Sequence, residues 1–176
     1  VHHGFDKFVG LLNGAGDFHV EDDWRKGLEP FTMRGYATDV ITDHSLDFIE
    51  RHKEEPFFLF VSHQTPHNPY QTRADTPESR KKGWRQNRVS EENRPRYIEM
   101  LKDLDDSVGQ ILDQLEASGL ADRTLVFFWS DNGDVGMSPV ERSLRGTKFG
   151  HYEGGHRVPT VAWWPRSEEH TSERQS

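Results

Sequence analysis

The chain has no cysteine among its 176 residues. That excludes a disulfide framework and any thiolate metal site, and it leaves the redox compartment open. Apolar residues are scarce too. The hydrophobic fraction is 32%, tyrosine included. Exchanging tyrosine for glycine in that count raises it only to roughly 38%, where soluble domains run at about 45–50%. The length suits one domain of ordinary size. Its core is thin for that length, which fits a piece of a larger domain better than a complete one. No apolar run approaches the roughly 18 residues that a membrane span needs. Positive charge is also in deficit, with 22 Lys plus Arg against 30 Asp plus Glu and a formal net charge of −8. A general phosphate-backbone binder carries a basic face, so no nucleic-acid partner is expected. A small anionic substrate remains open, because a few local cations decide that. The first residue is Val1, so the lack of a signal peptide carries no information. Nothing in the sequence sets an oligomeric state.

What is present alternates. Residues 1–35 are rich in Gly, Asp and aromatics and read as loops around short extended pieces. A 3–4 spacing of Val40, Ile41, His44, Phe48 and Ile49 predicts a helix over about 38–52. Pro56 closes that helix. Phe57 to Val61 is a continuous apolar run, as in a strand buried on both faces. Residues 62–90 hold Pro66, Pro69 and Pro77 and read as a long loop, with the basic stretch from Arg80 to Arg85 as a solvated turn. The stripe Tyr97, Leu101, Leu104, Val108, Ile111 and Leu115 predicts a helix over about 92–118, capped by Gly119. Thr124 to Trp129 and Val158 to Trp164 are two further strand candidates. Strands alternating with helices imply an α/β fold with a mostly parallel sheet flanked by helices.

Three segments carry groups suited to chemistry. Asp131-Asn132-Gly133 follows an apolar strand, and ligands in parallel sheets gather at strand carboxyl ends. Asp and Asn offer hard oxygen donors for Ca²⁺ or Mg²⁺, and the same residues equally favour a tight turn. His67, in Ser62-His63-Gln64-Thr65-Pro66-His67-Asn68-Pro69, can protonate a leaving oxygen or hydrogen-bond an anion. A surface histidine is the plain alternative. Lys148, in Leu144-Arg145-Gly146-Thr147-Lys148-Phe149-Gly150, can neutralise a sulfate or phosphate oxygen. Its glycines allow close approach to a ligand, or simply a flexible loop.

In sequence order, these blocks resemble the sulfatase family over nearly all of residues 1–165. The specific pieces are Ser-Asp-Asn-Gly after an apolar strand, and Leu-Arg-Gly-x-Lys followed by Tyr-Glu-Gly-Gly-x-Arg-Val-Pro. Thr-Pro-His-Asn-Pro and the Gly-Phe-Asp opening add to them. The resemblance implies an alkaline-phosphatase-like α/β sheet, here incomplete, and calcium-dependent hydrolysis of small-molecule or carbohydrate sulfate esters. It makes Asp131 and Asn132 calcium ligands, and it brings His67 and Lys148 to the sulfate or its leaving oxygen. It also implies a periplasmic or secreted location.

Two features depart from the family pattern. The family's nucleophile is a formylglycine made from Cys or Ser in a Cys/Ser-x-Pro-x-Arg motif. There is no Cys, and in Ser138-Pro139-Val140-Glu141-Arg142 the proline stands one position early, so Ser138 is not assigned. The aspartate pair that precedes the nucleophile motif is not found, and Asp22-Asp23 lacks a preceding apolar strand. The expectation is therefore a partial catalytic domain over 1–165, inactive by itself. Residues 166–176 resemble the translation of a sequencing adapter and are set aside. A related phosphodiesterase or phosphonate hydrolase, or a non-catalytic sulfatase-like binding module, are the alternatives.

Overall fold

The computed structural model describes residues 4–14, 16–83, 89–133 and 144–167. The Ser138 segment and residues 168–176 of the tail lie outside the described residues. Two compact units share the described chain. One comprises 4–83, without residue 15, together with 91–114. The other comprises 89–90, 115–133 and 144–167.

The first unit opens with a sheet that composition did not reveal. Strands β1 (Val9–Leu11), β2 (Val20–Lys26) and β3 (Glu29–Arg34) pair antiparallel in that order. Lys26 pairs with Glu29, so Gly27 and Leu28 alone make the turn. Gly27 has φ 65°, as the first position of a mirror-image hairpin turn requires. The register shifts between Glu21 and Trp24, so Asp22-Asp23 sit on a bulge and break the period of two that marks a strand. Phe18, Trp24 and Met33 are buried here.

Helix α1 (Ala37–His52) forms where its spacing predicts, but it buries a different face. Thr38, Thr42, Ser45 and Ile49 are buried, while Val40, Ile41, His44 and Phe48 are only half-buried. Helix α3 (Arg94–Ala117) behaves alike. It buries Met100, Asp103, Ser107 and Leu115, and Leu101 of the expected stripe is exposed. The seam between the helices is therefore made of hydroxyls. Thr42 Oγ1 donates to the Thr38 carbonyl at 2.7 Å, so its remaining contact, Ser107 Oγ at 2.6 Å, must donate to it. Ser107 is left to accept from His63 Nε2 at 3.0 Å. Thr38 and Thr65 pair their hydroxyls at 2.6 Å. Helix α3 ends at Gly119, with φ 66°. The Gly119 amide donates to the Glu116 carbonyl and the Leu120 amide to that of Leu115, the double bond of a Schellman cap.

The expected loop over 62–90 contains a helix, α2 (Pro77–Gly83). Thr76 and Ser79 exchange amide-to-hydroxyl bonds at its start, with Pro77 at the first helical position. In the second unit, β4 (Val126–Trp129) and β5 (Thr160–Trp163) pair antiparallel, Val126 opposite Trp163. A short helix α4 (Glu153–His156) precedes β5.

Two expectations meet a different arrangement. Every strand pair among the described residues is antiparallel, so the parallel pairs of the expected sheet are not found there. The run Phe57–Val61 joins no ladder, and Phe58 is 73% exposed. Trp129 on β4 is 49% exposed. A continuous apolar run signals a strand meant to be covered on both faces, and the described residues supply no such cover.

His63 gives a measurable signature. Burial pushes its imidazole down from 6.5 to about 4. The charged form is disfavoured in the fold, so the unfolded chain takes up the proton first as pH falls. Stability is unaffected above about pH 6.5 and falls between pH 6.5 and 4, by about 3 kcal/mol at the lower end. Urea unfolding at pH 7 and pH 4 should show that loss in the native sequence. The loss should be smaller by about that amount in His63→Gln, and equal losses in both would refute it.

Candidate active site

The Ser130-Asp131-Asn132-Gly133 turn begins where β4 ends at Trp129. Asp131 is exposed and Asn132 half-buried. Ser130 Oγ donates to the Asn132 carbonyl at 2.9 Å, and Asn132 Nδ2 donates to the Gly133 carbonyl at 3.1 Å. That second bond orients the amide and leaves Oδ1 without a donor among the described residues. The Asp131 carboxylate likewise has neither hydrogen bond nor ion pair among them. Two adjacent hard oxygen groups without partners among the described residues fit part of a Ca²⁺ site, which takes 6–8 oxygens. No group of three or more His, Asp or Glu gathers as a metal site among the described residues.

Lys148 lies in the same unit. Its Nζ has no carboxylate partner among the described residues and stands 5.5 Å from the Phe149 ring centroid. Phe149 has φ 70°, an uncommon conformation for an aromatic residue. Arg145, three residues earlier, stacks its guanidinium 3.7 Å from the Tyr152 ring centroid. Arg157, by contrast, is neutralised by Glu153 at 3.1 Å. Among the described residues, neither Arg145 nor Lys148 of the loop 144–150 has a carboxylate partner.

Glycine joins this loop to the Asp131-Asn132 turn. The Gly133 amide donates to the Gly155 carbonyl at 3.0 Å, and the Gly154 amide donates to the Arg145 carbonyl at 2.8 Å. Backbone therefore packs on backbone from the turn, through Gly154-Gly155, to the lysine loop. From the sequence, these glycines suggested approach to a ligand. In the structure they let chain segments approach each other. The crowding of glycine over 146–155 was the available signal, and it gave no hint of the partner segment.

His67 belongs to the first unit. It stands between two cis X–Pro bonds, Thr65–Pro66 and Asn68–Pro69. Its Nδ1 lies 2.6 Å from the Asn68 carbonyl, which can only accept, so Nδ1 carries a proton and Nε2 is the free nitrogen. The loop that bears it is well tied. Gln71, fully buried, accepts from the Phe18 amide at 2.7 Å and donates to Asp17 at 3.2 Å. Arg73 grips Asp39 with two donors and reaches Asp103 with a third at 2.9 Å. Burial raises the Asp103 carboxyl and Arg73 opposes that rise. Asp22 and Asp23, not assigned from the sequence, lie on the bulge of β2. Asp23 there accepts from the Asn13 side chain.

The sulfatase family model matches residues 1–176. An uncharacterized sulfatase YdeN of Escherichia coli (strain K12) is 30% identical over 165 residues, covering 92% of this chain and 29% of that protein. N-acetylgalactosamine-6-sulfatase of Homo sapiens is 31% identical over 186 residues, covering 93% and 33%. Among solved structures, Ps i-CgsB in complex with k-i-k-neocarrahexaose superposes with a TM-score of 0.74 at 24% identity, covering 93% of this chain and 40% of that one. The PsFucS1 sulfatase from Pseudoalteromonas sp. gives a TM-score of 0.57 at 26% identity, covering 82% and 30%. The fold is of the alkaline-phosphatase-like α/β class. The chain belongs to the sulfatase family. It spans about a third of the length of the curated relatives it matches.

The stack of Arg145 on Tyr152 can be tested by truncation. Tyr152→Ala should lower the thermal stability of the chain by about 1 kcal/mol, with Tyr152→Leu recovering little of it because the ring face is lost. Calorimetry of the two variants beside Arg145→Ala checks this. Independent, additive losses for Tyr152→Ala and Arg145→Ala in the double variant would exclude the stack as their cause.

Proposed function

We propose that this chain forms part of the catalytic domain of a calcium-dependent sulfatase acting on small-molecule or carbohydrate sulfate esters. The observation that carries the reading is the occurrence, within one unit, of Asp131 and Asn132 side-chain oxygens and a Lys148 ammonium that have no protein partner among the described residues. A cation site beside a cation-bearing loop suits an anion whose charge must be spread during transfer. Calcium held by Asp131 and Asn132 would supply positive charge toward the sulfate oxygens. Lys148 neutralises one of those oxygens. His67, its Nδ1 beside the Asn68 carbonyl, keeps Nε2 for a hydrogen bond to an anion or a leaving oxygen. The exposure of Phe58, Phe127 and Phe128 among the described residues supports a part that works within a larger domain. The named activity of N-acetylgalactosamine-6-sulfatase and the neocarrahexaose complex support a carbohydrate sulfate as substrate. The family's route needs a covalent nucleophile, and the sequence has neither a cysteine nor a serine in the Cys/Ser-x-Pro-x-Arg pattern that would give rise to one.

Two outcomes follow. The purified chain should turn over no chromogenic aryl sulfate above a buffer blank, with or without calcium. Calcium-dependent turnover that Lys148→Ala removes would overturn the account of the missing nucleophile. In calorimetric titration the chain should bind calcium weakly, with a Kd on the order of 1 mM, since affinity follows ligand charge and rigidity. Asp131→Asn should weaken it about tenfold, or about 1.4 kcal/mol. Unchanged calcium affinity in that variant sinks the metal assignment.

A further inference from the structure

We propose that Gly155, together with Gly133 and Gly154, positions the proposed site, holding the Asp131-Asn132 turn and the Lys148 loop one peptide thickness apart so that cation and anion binding are coupled. The proposal rests on the site reading above.

The geometry leaves no room for a side chain on either side. A Cβ on Gly133 would stand 1.9 Å from the Gly154 carbonyl oxygen. A Cβ on Gly154 would stand 2.3 Å from the Gly146 oxygen and 2.8 Å from that of Arg145. A Cβ on Gly155 would meet the Gly150 oxygen at 2.4 Å and the Thr147 oxygen at 2.6 Å. All these neighbours are backbone, which cannot swing aside as a side chain can. Thr147 and Gly150 flank Lys148 closely in sequence, and Asn132 immediately precedes Gly133. Gly155 therefore touches the lysine loop at its α-carbon and the turn at its carbonyl, which accepts the Gly133 amide at 3.0 Å.

Conformational need does not explain these residues. Among the described glycines, positive φ occurs at Gly4, Gly27, Gly35, Gly119 and Gly146, and not at 133, 154 or 155. Other residues could adopt their backbone angles. Two adjacent glycines inside the four-residue helix α4 also weaken that helix, since glycine is a poor helix former. What they provide is close approach. A displacement of Gly155 must move Thr147 and Gly150, or the Gly133 amide, or both.

Rigid contact of this kind makes two binding events share one backbone arrangement, which is the condition for linkage between them. The test uses the whole chain, with calcium chloride and inorganic sulfate as probes at concentrations where they do not precipitate together. Amide chemical shifts of 130–133 report the cation and those of 146–150 the anion. In the native sequence, calcium should tighten sulfate binding at least about fivefold, and sulfate should tighten calcium by the same factor. Sulfate alone should slow hydrogen exchange at the Gly133 amide, across the glycine pair. In Gly155→Ala each probe should still be detected at its own loop, with the coupling factor reduced to about one. Gly109→Ala, whose new Cβ meets nothing within 4 Å, should leave coupling intact. Should Gly155→Ala fail to fold, the exchange measurement on the native chain decides. Sulfate that slows Gly150 and Gly154 but not Gly133 overturns the proposal. So does coupling that survives in Gly155→Ala. If neither probe binds the native chain, the site reading itself fails and this inference falls with it, whereas binding of both without coupling defeats the inference alone.

Discussion

A buried hydroxyl must find a partner, and that requirement organises the first unit. Where Thr42 of α1 meets Ser107 of α3, neither side chain can reach water. Each has a single proton to give, so the bonds run one way: His63 to Ser107, Ser107 to Thr42, Thr42 to the Thr38 carbonyl. Leaving one such group unpaired costs about 1–3 kcal/mol. The chain is directional, and it fixes His63 as a neutral ring with its proton on Nε2. The lowered His63 pKa expresses the same fact, since a charged ring in this dry seam would have no counterion. His63 and Thr65, both engaged from the helices, then fix the backbone only a few residues before His67.

The second unit solves a different problem. Its apolar strands are half-exposed, so side-chain packing holds little of it. Three loops are gathered instead by amide–carbonyl bonds and by contacts that only glycine permits. Such packing is short-range and stiff. It can hold the Asp131-Asn132 turn against the Lys148 loop even where β4 and β5 have bare faces, because the contacts involve backbone and no large core. The alternative, loops held by long side chains, would leave the spacing of opposite charges subject to rotamer changes. Arg145 shows how side chains contribute here. Its guanidinium stands over the Tyr152 ring at 3.7 Å, while its backbone carbonyl accepts from the Gly154 amide.

How much of this was legible depends on whether a signal is local. Helices α1 and α3 were readable because a 3.6-residue period survives whichever face is buried. Which face is buried was not readable, because the hydroxyl seam depends on a partner helix more than 50 residues away. Strands β4 and β5 showed as apolar runs, while β2 hid behind the bulge at Asp22-Asp23 and a charged surface face. Helix α2 was announced by Thr76-Pro77 at its start, a cap signal outweighed by the prolines around it. For the site, Asp131, Asn132, Lys148 and His67 stood out through their motifs. The glycine contacts did not, since a sequence marks where glycine occurs and not what it touches.

The exposed apolar runs and the charged loops are therefore two separate matters. One is a covered sheet, whose apolar runs call for partners on both faces; the described residues do not supply them. The other is a set of loops with charges at fixed spacing, which here depends on backbone contacts local to the loops. If loop geometry were a by-product of the sheet core, exposed strands would leave the loops without defined contacts. Instead, among the described glycines, an added Cβ would meet its neighbours most closely at Gly133, Gly154 and Gly155, which join the turn of Asp131 and Asn132 to the Lys148 loop. These are the described glycines with least tolerance for an added methyl group, and they lie between the Asp131-Asn132 turn and the Lys148 loop. Electrostatic stabilisation depends on charges already in place before the substrate arrives, and a backbone-to-backbone contact holds them there without relying on the rest of the fold.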